Sequence, residues 1–273
     1  TIQVLYNFFE EGNVKAQSKN LPKHNNMRGQ SMTKPFSVLS KLAAVSVLAA
    51  ISLPAAAQSA GDNIVNIGWF HLRPNESSEP LYRHMPAPVG PLPGSSATIS
   101  NADTLGLAFT HFFTDNFALT ADLGIPPKFK LYGGGTLSPL GQLGEAKQWS
   151  PALIAKWYFG DKNTKLRPFV GLGVTRVWYT SVNLSSSLQR LVTNNLPGGT
   201  ATADLSSSWA PVANVGLTYN LTEKWSLGLS VAYIPLKTDA DITGRIGNTV
   251  VSRNTTTLTL DPLVTFLSVG YKF

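Results

Sequence analysis

The chain has 273 residues, with 22 Lys and Arg against 15 Asp and Glu. It contains no cysteine, which excludes a disulfide scaffold and any thiol-based nucleophile or metal site. Residues 58–273 hold 16 basic and 13 acidic side chains, a near balance that does not support a nucleic-acid partner.

Residues 1–31 read as an upstream extension outside the native mature protein, with Met27 and Met32 as alternative starts. Residues 32–57 have the three regions of a signal peptide. Lys34 and Lys41 supply the positive start, Leu42 to Leu53 the apolar run, and Ala55 and Ala57 the small-residue cleavage site before Gln58. The apolar run falls short of the roughly 20 residues that span a bilayer as a helix. The mature unit is therefore expected to be 58–273, an exported protein.

Beyond the leader, period-two alternation replaces any long apolar helix. Strands are predicted near Ile64–Arg73, Thr104–Phe113, Phe117–Leu123, Ser150–Phe159, Val170–Val174, Ser208–Leu221, Trp225–Tyr233 and Leu263–Phe273. Short polar turns at 114–116, 160–165 and 222–224 alternate with long Gly/Ser/Thr/Pro/Asn-rich segments at 74–101, 125–144, 180–207 and 237–256. Short turns on one side and long loops on the other mark an outer-membrane barrel, periplasmic turns being short and extracellular loops long. The fold expected is all-β: an eight-stranded antiparallel transmembrane β-barrel with both mature termini periplasmic.

The two faces of the strands decide between a membrane barrel and a soluble one. Bulky rows such as Leu227, Leu229 and Val231 alternate with small or polar rows such as Ser226, Gly228 and Ser230. A soluble barrel packs its bulky residues inside, whereas a narrow membrane barrel puts them on the lipid. Leu263 to Phe273 cover about 34 Å along a strand, or roughly 25 Å of height at the usual tilt, matching an outer-membrane apolar band. Phe113, Phe117, Trp157, Phe159, Tyr219, Trp225, Tyr271 and Phe273 cluster beside the short turns as an interfacial girdle.

Several long stretches carry a family resemblance. "SSWAPVANVGLTYNLTEKWSLGLSVAYIPLKTDA" (207–240), "QWSPALIAKWYFGDKNTKLRPFVGLGV" (148–174) and the closing "LDPLVTFLSVGYKF" (260–273) resemble the OmpW family of small outer-membrane proteins. "GWFHLRPNE" (68–76) and "LGLAFTHFFTDNFAL" (105–119) match its first strands, so the likeness covers essentially all of 63–273. The resemblance implies a narrow hydrophobic lumen that binds or passes small hydrophobic molecules, with lateral release between strands. It also implies that the terminal Tyr271 and Phe273 form the assembly signal read by the β-barrel assembly machinery. The alternative is a non-transporting barrel acting through its extracellular loops in adhesion, as a phage or bacteriocin receptor, or in envelope stability.

Splitting the inward rows by height gives the candidate site. Phe70, Leu72, Ile154, Val177, Val212, Ile234, Val264 and Phe266 form an apolar cup on the loop side, the candidate contacts for a small hydrophobic ligand. Thr110, Lys156, Tyr158, Thr218, Asn220, Ser226 and Lys272 lie below it as a polar plug. Asp122 and Ala232 stand where family members can carry bulky apolar residues, so the constriction is expected to be wider or wetter here. Asp122 is expected to pair with Lys156, since inward charges in narrow barrels usually pair. Pro151, Pro211 and Pro262 either loosen strand pairing near the rim or simply end the sheet beneath the loops.

No enzyme is expected and no cofactor or metal site is read. His71 and His111 fall on outward rows at opposite ends of neighbouring strands, and His84 sits in a long loop. Gly133-Gly134-Gly135 lacks the rest of a phosphate loop and reads as a flexible stretch. Leu184, Leu188, Leu191 and Val192 recur at helical spacing and predict a short helix covering the barrel mouth.

Overall fold

The structure is a computed structural model and describes residues 58–273; the upstream extension and the signal peptide lie outside the described residues. Eight strands form the barrel: β1 Asn63–Arg73, β2 Ala102–Phe112, β3 Phe117–Gly124, β4 Ala152–Tyr158, β5 Leu166–Leu184, β6 Ser208–Asn220, β7 Trp225–Tyr233 and β8 Leu263–Lys272. Each is antiparallel to its chain neighbours, and β8 closes on β1 in a register running from Ile64 opposite Lys272 to Arg73 opposite Leu263. Closure pairs the backbone groups between strands and leaves no edge, the condition for a sheet to cross a bilayer. Among the described residues no helix is long and apolar enough to cross a membrane.

The short turns are built by local side-chain bonds. Thr114 Oγ1 accepts from the amides of Asn116 and Phe117, and Thr222 Oγ1 accepts in the same way from Lys224 and Trp225. In the third turn, Asp161 Oδ1 accepts from the Asn163 amide at 2.8 Å. Such bonds fix a reversal before the next apolar alternation begins.

Alternation then sorts the faces. Leu172 is 73% exposed on the outer wall whereas Ile154, pointing inward on the neighbouring strand, is 1% exposed. All eight aromatic residues of the girdle are exposed at the turn end. A second exposed set, Trp69, Trp149, Trp209 and Tyr233, marks the other rim. Spacing along the sequence singles out only the first.

The long connections are themselves mostly strand, which corrects their reading as loops. The upper part of β5 continues into a sheet with 142–149, 128–135 and 95–99. A second sheet joins 199–205, 237–246, 249–259 and 82–85. Their composition looks loop-like because it is polar, but segments such as TVVSRNTTTLT are rich in β-branched Thr and Val, which suit a pleated surface. Gly133, Gly134 and Gly135 are correspondingly held in strand pairing, opposite Ala97, Ser96 and Ser95, rather than forming a flexible stretch. A Cβ on Gly133 would collide with the backbone of Leu137, so the close chain approach requires glycine there.

The predicted helix is present as α1, Ser186–Val192, with Ser185 capping it by accepting from the Leu188 amide. Leu188 and Val192 pack with Leu81, Leu137, Leu143 and Ile242 into an apolar core in the loop region. The membrane barrel thus carries a folded extension above its mouth.

Candidate functional site in the barrel lumen

All eight residues of the expected apolar cup line one cavity, together with Asp122 and Ala232. The space is open to solvent at its edges. Phe70 and Phe266 face each other across the β1–β8 seam, with ring centroids 4.0 Å apart and planes inclined by 18°. Gly106 on β2 makes room for them, since a Cβ there would run into the Phe70 ring. A second apolar cavity lies above, lined by residues including Leu81, Leu131, Leu143 and Leu258. The two share Leu72, Gln148 and Pro262 in their walls, so the apolar lining continues from the loop region into the barrel.

Below the cup the lumen is closed by aromatic rings and two cations. Ile64, Phe112, Ala118, Tyr158 and Phe169 form a buried cluster at the turn end. The Lys156 ammonium lies 4.8 Å from the centroid of the Phe169 ring. Arg167, fully buried, lies 5.3 Å from the Tyr158 ring and donates to the carbonyls of Gln58 and Asp115. The first described residues fold across this end: Ala60 N–H donates to the Asp115 carboxylate, Gly61 N–H to the Phe112 carbonyl, and Lys272 pairs with Asp62 at 3.2 Å. In that turn Asp115 is held below the ordinary carboxylate range, first by the Ala60 amide and then by Lys162.

The polar residues expected to form the plug are therefore only half of it. Arg167 and Phe169 fall outside the strand expected to start at Val170, and Gln58 is expected only as the residue after the cleavage site. Extending the alternation two residues backwards from Phe169 places Arg167 inward, and that is the signal in the sequence that could have found it.

The expected Asp122–Lys156 ion pair is not formed among the described residues. Asp122 is opposite Ala152 whereas Lys156 is opposite Ala118. Four residues of strand, about 13 Å, separate the two levels. No hydrogen bond reaches Asp122, and its Oδ1 is buried without a partner.

Strand pairing lapses on the loop side of the wall between β6 and β7, where the register stops at Ala213 opposite Tyr233 and resumes at Leu205 opposite Ala240, and between β3 and β4. The β3–β4 register stops at Asp122 opposite Ala152 and resumes only above, with Gln148 N–H donating to the Pro127 carbonyl and Lys128 opposite Lys147. Residues 123–126 and 149–151 face each other across this interval, and most of them line the lumen cavity, outward Leu123 and Ile125 included. The Ile125 amide is committed to Leu105 on β2, so the next position along, Pro126, is the one whose N–H would have pointed to β4. Of the three prolines singled out from the sequence, Pro151 borders the interval, but its carbonyl is engaged by β5 through Thr175 and Arg176. Pro211 keeps its register with Val174 on β5 but has no register partner on β7, and the Pro262 carbonyl accepts from Ile234. Pro126 and Pro127 escape a reading of the sequence because they lie inside a segment of loop-like composition.

The three histidines among the described residues lie apart: His71 on the Asp103 carboxylate, His111 on Asn63 and His84 on Thr255.

The sequence model of the OmpW family matches residues 59–273. The chain belongs to the OmpW family. It is 32% identical to outer membrane protein W of Vibrio cholerae over 231 residues, covering 84% of this chain and 97% of that protein. It is 33% identical to outer membrane protein AlkL of Ectopseudomonas oleovorans over 184 residues, 67% of this chain and 72% of that one. The crystal structure of outer membrane protein OprG from Pseudomonas aeruginosa superposes with a TM-score of 0.70 at 26% identity, covering 80% of this chain and 98% of OprG. This OmpW-family chain is thus an outer-membrane β-barrel of the OmpW, AlkL and OprG type, seated in the lipid bilayer, and its family is one of membrane barrels rather than enzymes.

Proposed function

We propose that this barrel captures small hydrophobic molecules at its loop end and releases them sideways into the outer membrane through the β3–β4 interval. The observation that carries this reading is the combination of an apolar lumen cavity, a blocked turn end and a break in strand pairing on the cavity wall. Apolar solutes gain about 25 cal/mol per Å² of surface removed from water, so the cup holds them without directional bonds. Onward passage through the turn end would displace packed aromatic rings and the Arg167 contacts. The interval offers a route from the same cavity to outward-facing Leu123 and Ile125.

The loop end is then extracellular, and the turn end, with both mature termini, periplasmic. Phe70, Leu72, Ile154, Val177, Val212, Ile234, Val264 and Phe266 are the ligand contacts, and Ala232 keeps the constriction wide. Tyr271 and Phe273 serve the assembly machinery during insertion. Their rings lie on the outer wall, Tyr271 against Trp225 at 4.9 Å and Phe273 near Phe109.

The test uses the absence of native cysteine. Leu123 and Pro151 would be the next register pair, so L123C and P151C allow a short bifunctional thiol reagent to bridge the interval. Uptake of a radiolabelled alkane by cells should fall on bridging, while each single variant treated alike keeps its rate. Equal uptake with and without the protein, at normal surface levels, would refute transport and favour action through the extracellular loops.

A further inference from the structure

Two hydrogen-bond acceptors are left unpaired in the wall of the mainly apolar lumen cavity. Asp122 receives no hydrogen bond, and its Oδ1 is buried without a partner. Asn214 on β6 is 4% exposed; its Nδ2 donates to the Val231 carbonyl at 3.1 Å, which leaves its Oδ1 buried and unpartnered. Both residues line the same cavity. Thr104 donates to the Ile125 carbonyl, and Thr110 and Thr120 bond to each other, which leaves Ser230 as a further hydroxyl in the cavity wall. Lys156 is four residues out of register with Asp122 and rests on Phe169.

An acceptor withdrawn from water without a donor carries its full desolvation cost. An apolar side chain would avoid that cost, yet two separate strands place acceptors here. Ala232 fits the same pattern. It is directly opposite Asn214 in the β6–β7 register, where Cβ atoms are about 5 Å apart, and its single methyl is the smallest carbon side chain that could stand there. Asp122 occupies the last paired position before the β3–β4 interval, so a group bound to it would sit at the exit.

We infer that the lumen selects apolar molecules carrying one terminal hydrogen-bond donor, such as a hydroxyl, over equally apolar molecules carrying none, with Asp122 and Asn214 as the receiving groups. The inference rests on the capture reading above. The donor end is held beside the interval, and the hydrocarbon remainder lies against the Phe70–Phe266 pair and the aliphatic wall.

The probes are n-nonanol, methyl octyl ether and decane, which share the same number of heavy atoms. The nonanol alone has a donor; the ether brings only an acceptor towards two acceptors. Folded protein in phosphatidylcholine nanodiscs is titrated with each probe, concentrations being referred to the lipid phase. The readout is the methyl NMR signals of Ile154, Val212 and Val264. Nonanol should saturate these signals at about one tenth of the ether concentration, the effect of one hydrogen bond to a buried orphan acceptor. D122L and N214L, close in shape, should each lose most of that preference, whereas D122N, which keeps an acceptor oxygen, should retain it. A heat-dependent gel shift confirms that each variant is folded. Equal saturation by nonanol and ether in the native protein would overturn the inference while leaving capture intact, as would a preference that survives in the D122L/N214L double variant. If none of the three probes moves the lumen methyls, the capture reading falls and takes the inference with it.

Discussion

Replacing Arg167 by methionine should open the turn end without unfolding the barrel. The guanidinium donates to the Gln58 carbonyl at 2.8 Å and to the Asp115 carbonyl, and faces the Tyr158 and Phe112 rings. Hydrogen bonds from a charged donor are worth about 1.5–3 kcal/mol each, and the ring contacts add roughly 0.5–2 kcal/mol. Against this stands the cost of holding a cation out of water with its Nε unpartnered, a cost of several kcal/mol that methionine does not incur. The net loss should be about 2–3 kcal/mol, confined to the end where residues 58–62 cross the barrel. At 1.4 kcal/mol per factor of ten, hydrogen exchange of the Gly61 and Phe112 amides should speed up by about 30- to 150-fold. Those two amides bond to the Phe112 and Asp62 carbonyls, so they report this closure directly. In planar bilayers the variant should also pass small ions more readily than the native protein. Unchanged exchange at both amides, together with unchanged conductance, would refute the assignment of Arg167 as the keystone of the closure.

Gly106→Val should drive the Phe70 ring off Phe266. Such overpacking costs about 1–3 kcal/mol in urea titrations of the folded protein, and alkane uptake should fall at equal surface level. Leu188→Ala, in the core of the loop-region extension, should cost roughly 2–4 kcal/mol locally; limited proteolysis should cut the extension sooner while the membrane strands stay protected. Deleting Phe273 should lower surface levels far more than Lys272→Gln does, by quantitative surface labelling, because the latter keeps the terminal aromatic residue. Asp115 has a depressed folded-state pKa, so its contribution is present above the ordinary carboxylate value of 3.8 and is lost as pH falls below it. Exchange at Ala60, whose amide bonds to Asp115, should therefore hold steady from neutral pH down to that range, after correction for intrinsic exchange, and rise only beneath it.

The barrel is legible because a membrane strand is a strong physical constraint. One face must meet lipid and the other a crowded lumen, so alternation persists through β7 and β8 and assigns each side chain to a wall. The cup residues can be placed together for the same reason: once the strands and their directions are known, inward position and height follow. What lies beyond the membrane escapes because the constraint relaxes there. The 249–259 strand has no lipid face to impose a bulky row, and its threonines read as loop although their branching suits a strand. The Asp122–Lys156 pair fails for a different reason. Neighbouring strands are correctly identified, but register is set by the turns and the seam, and a shift of four residues cannot be read from either strand alone.

The same limit explains why Pro151 draws attention at this interval and Pro126 does not. A proline matters to a ladder only if its missing N–H would have pointed at the partner under consideration, and that depends on parity along the strand. Pro151 turns its carbonyl to β5, so its nitrogen also faces β5 and its presence does little to the β3–β4 contact. Pro126 has the opposite parity, fixed by the Ile125 amide bonding to β2. A broken ladder in the hydrocarbon core would strand backbone donors at several kcal/mol each. Here the break includes a residue with no donor. It also sits at the loop-end rim, beside exposed Trp149 stacked on Trp178 and below exposed Lys128 and Lys147. Aromatic and basic side chains mark the interfacial layer, where water and headgroups reach the remaining backbone groups. The opening is therefore placed where a gap in a membrane wall costs least, and a molecule leaving through it meets the top of the hydrocarbon layer. Moving the break down the wall, by Thr120→Pro opposite Ile154, should prevent folding rather than relocate the exit. A heat-shifted, folded band for that variant would show that ladder continuity does not confine the opening to the rim.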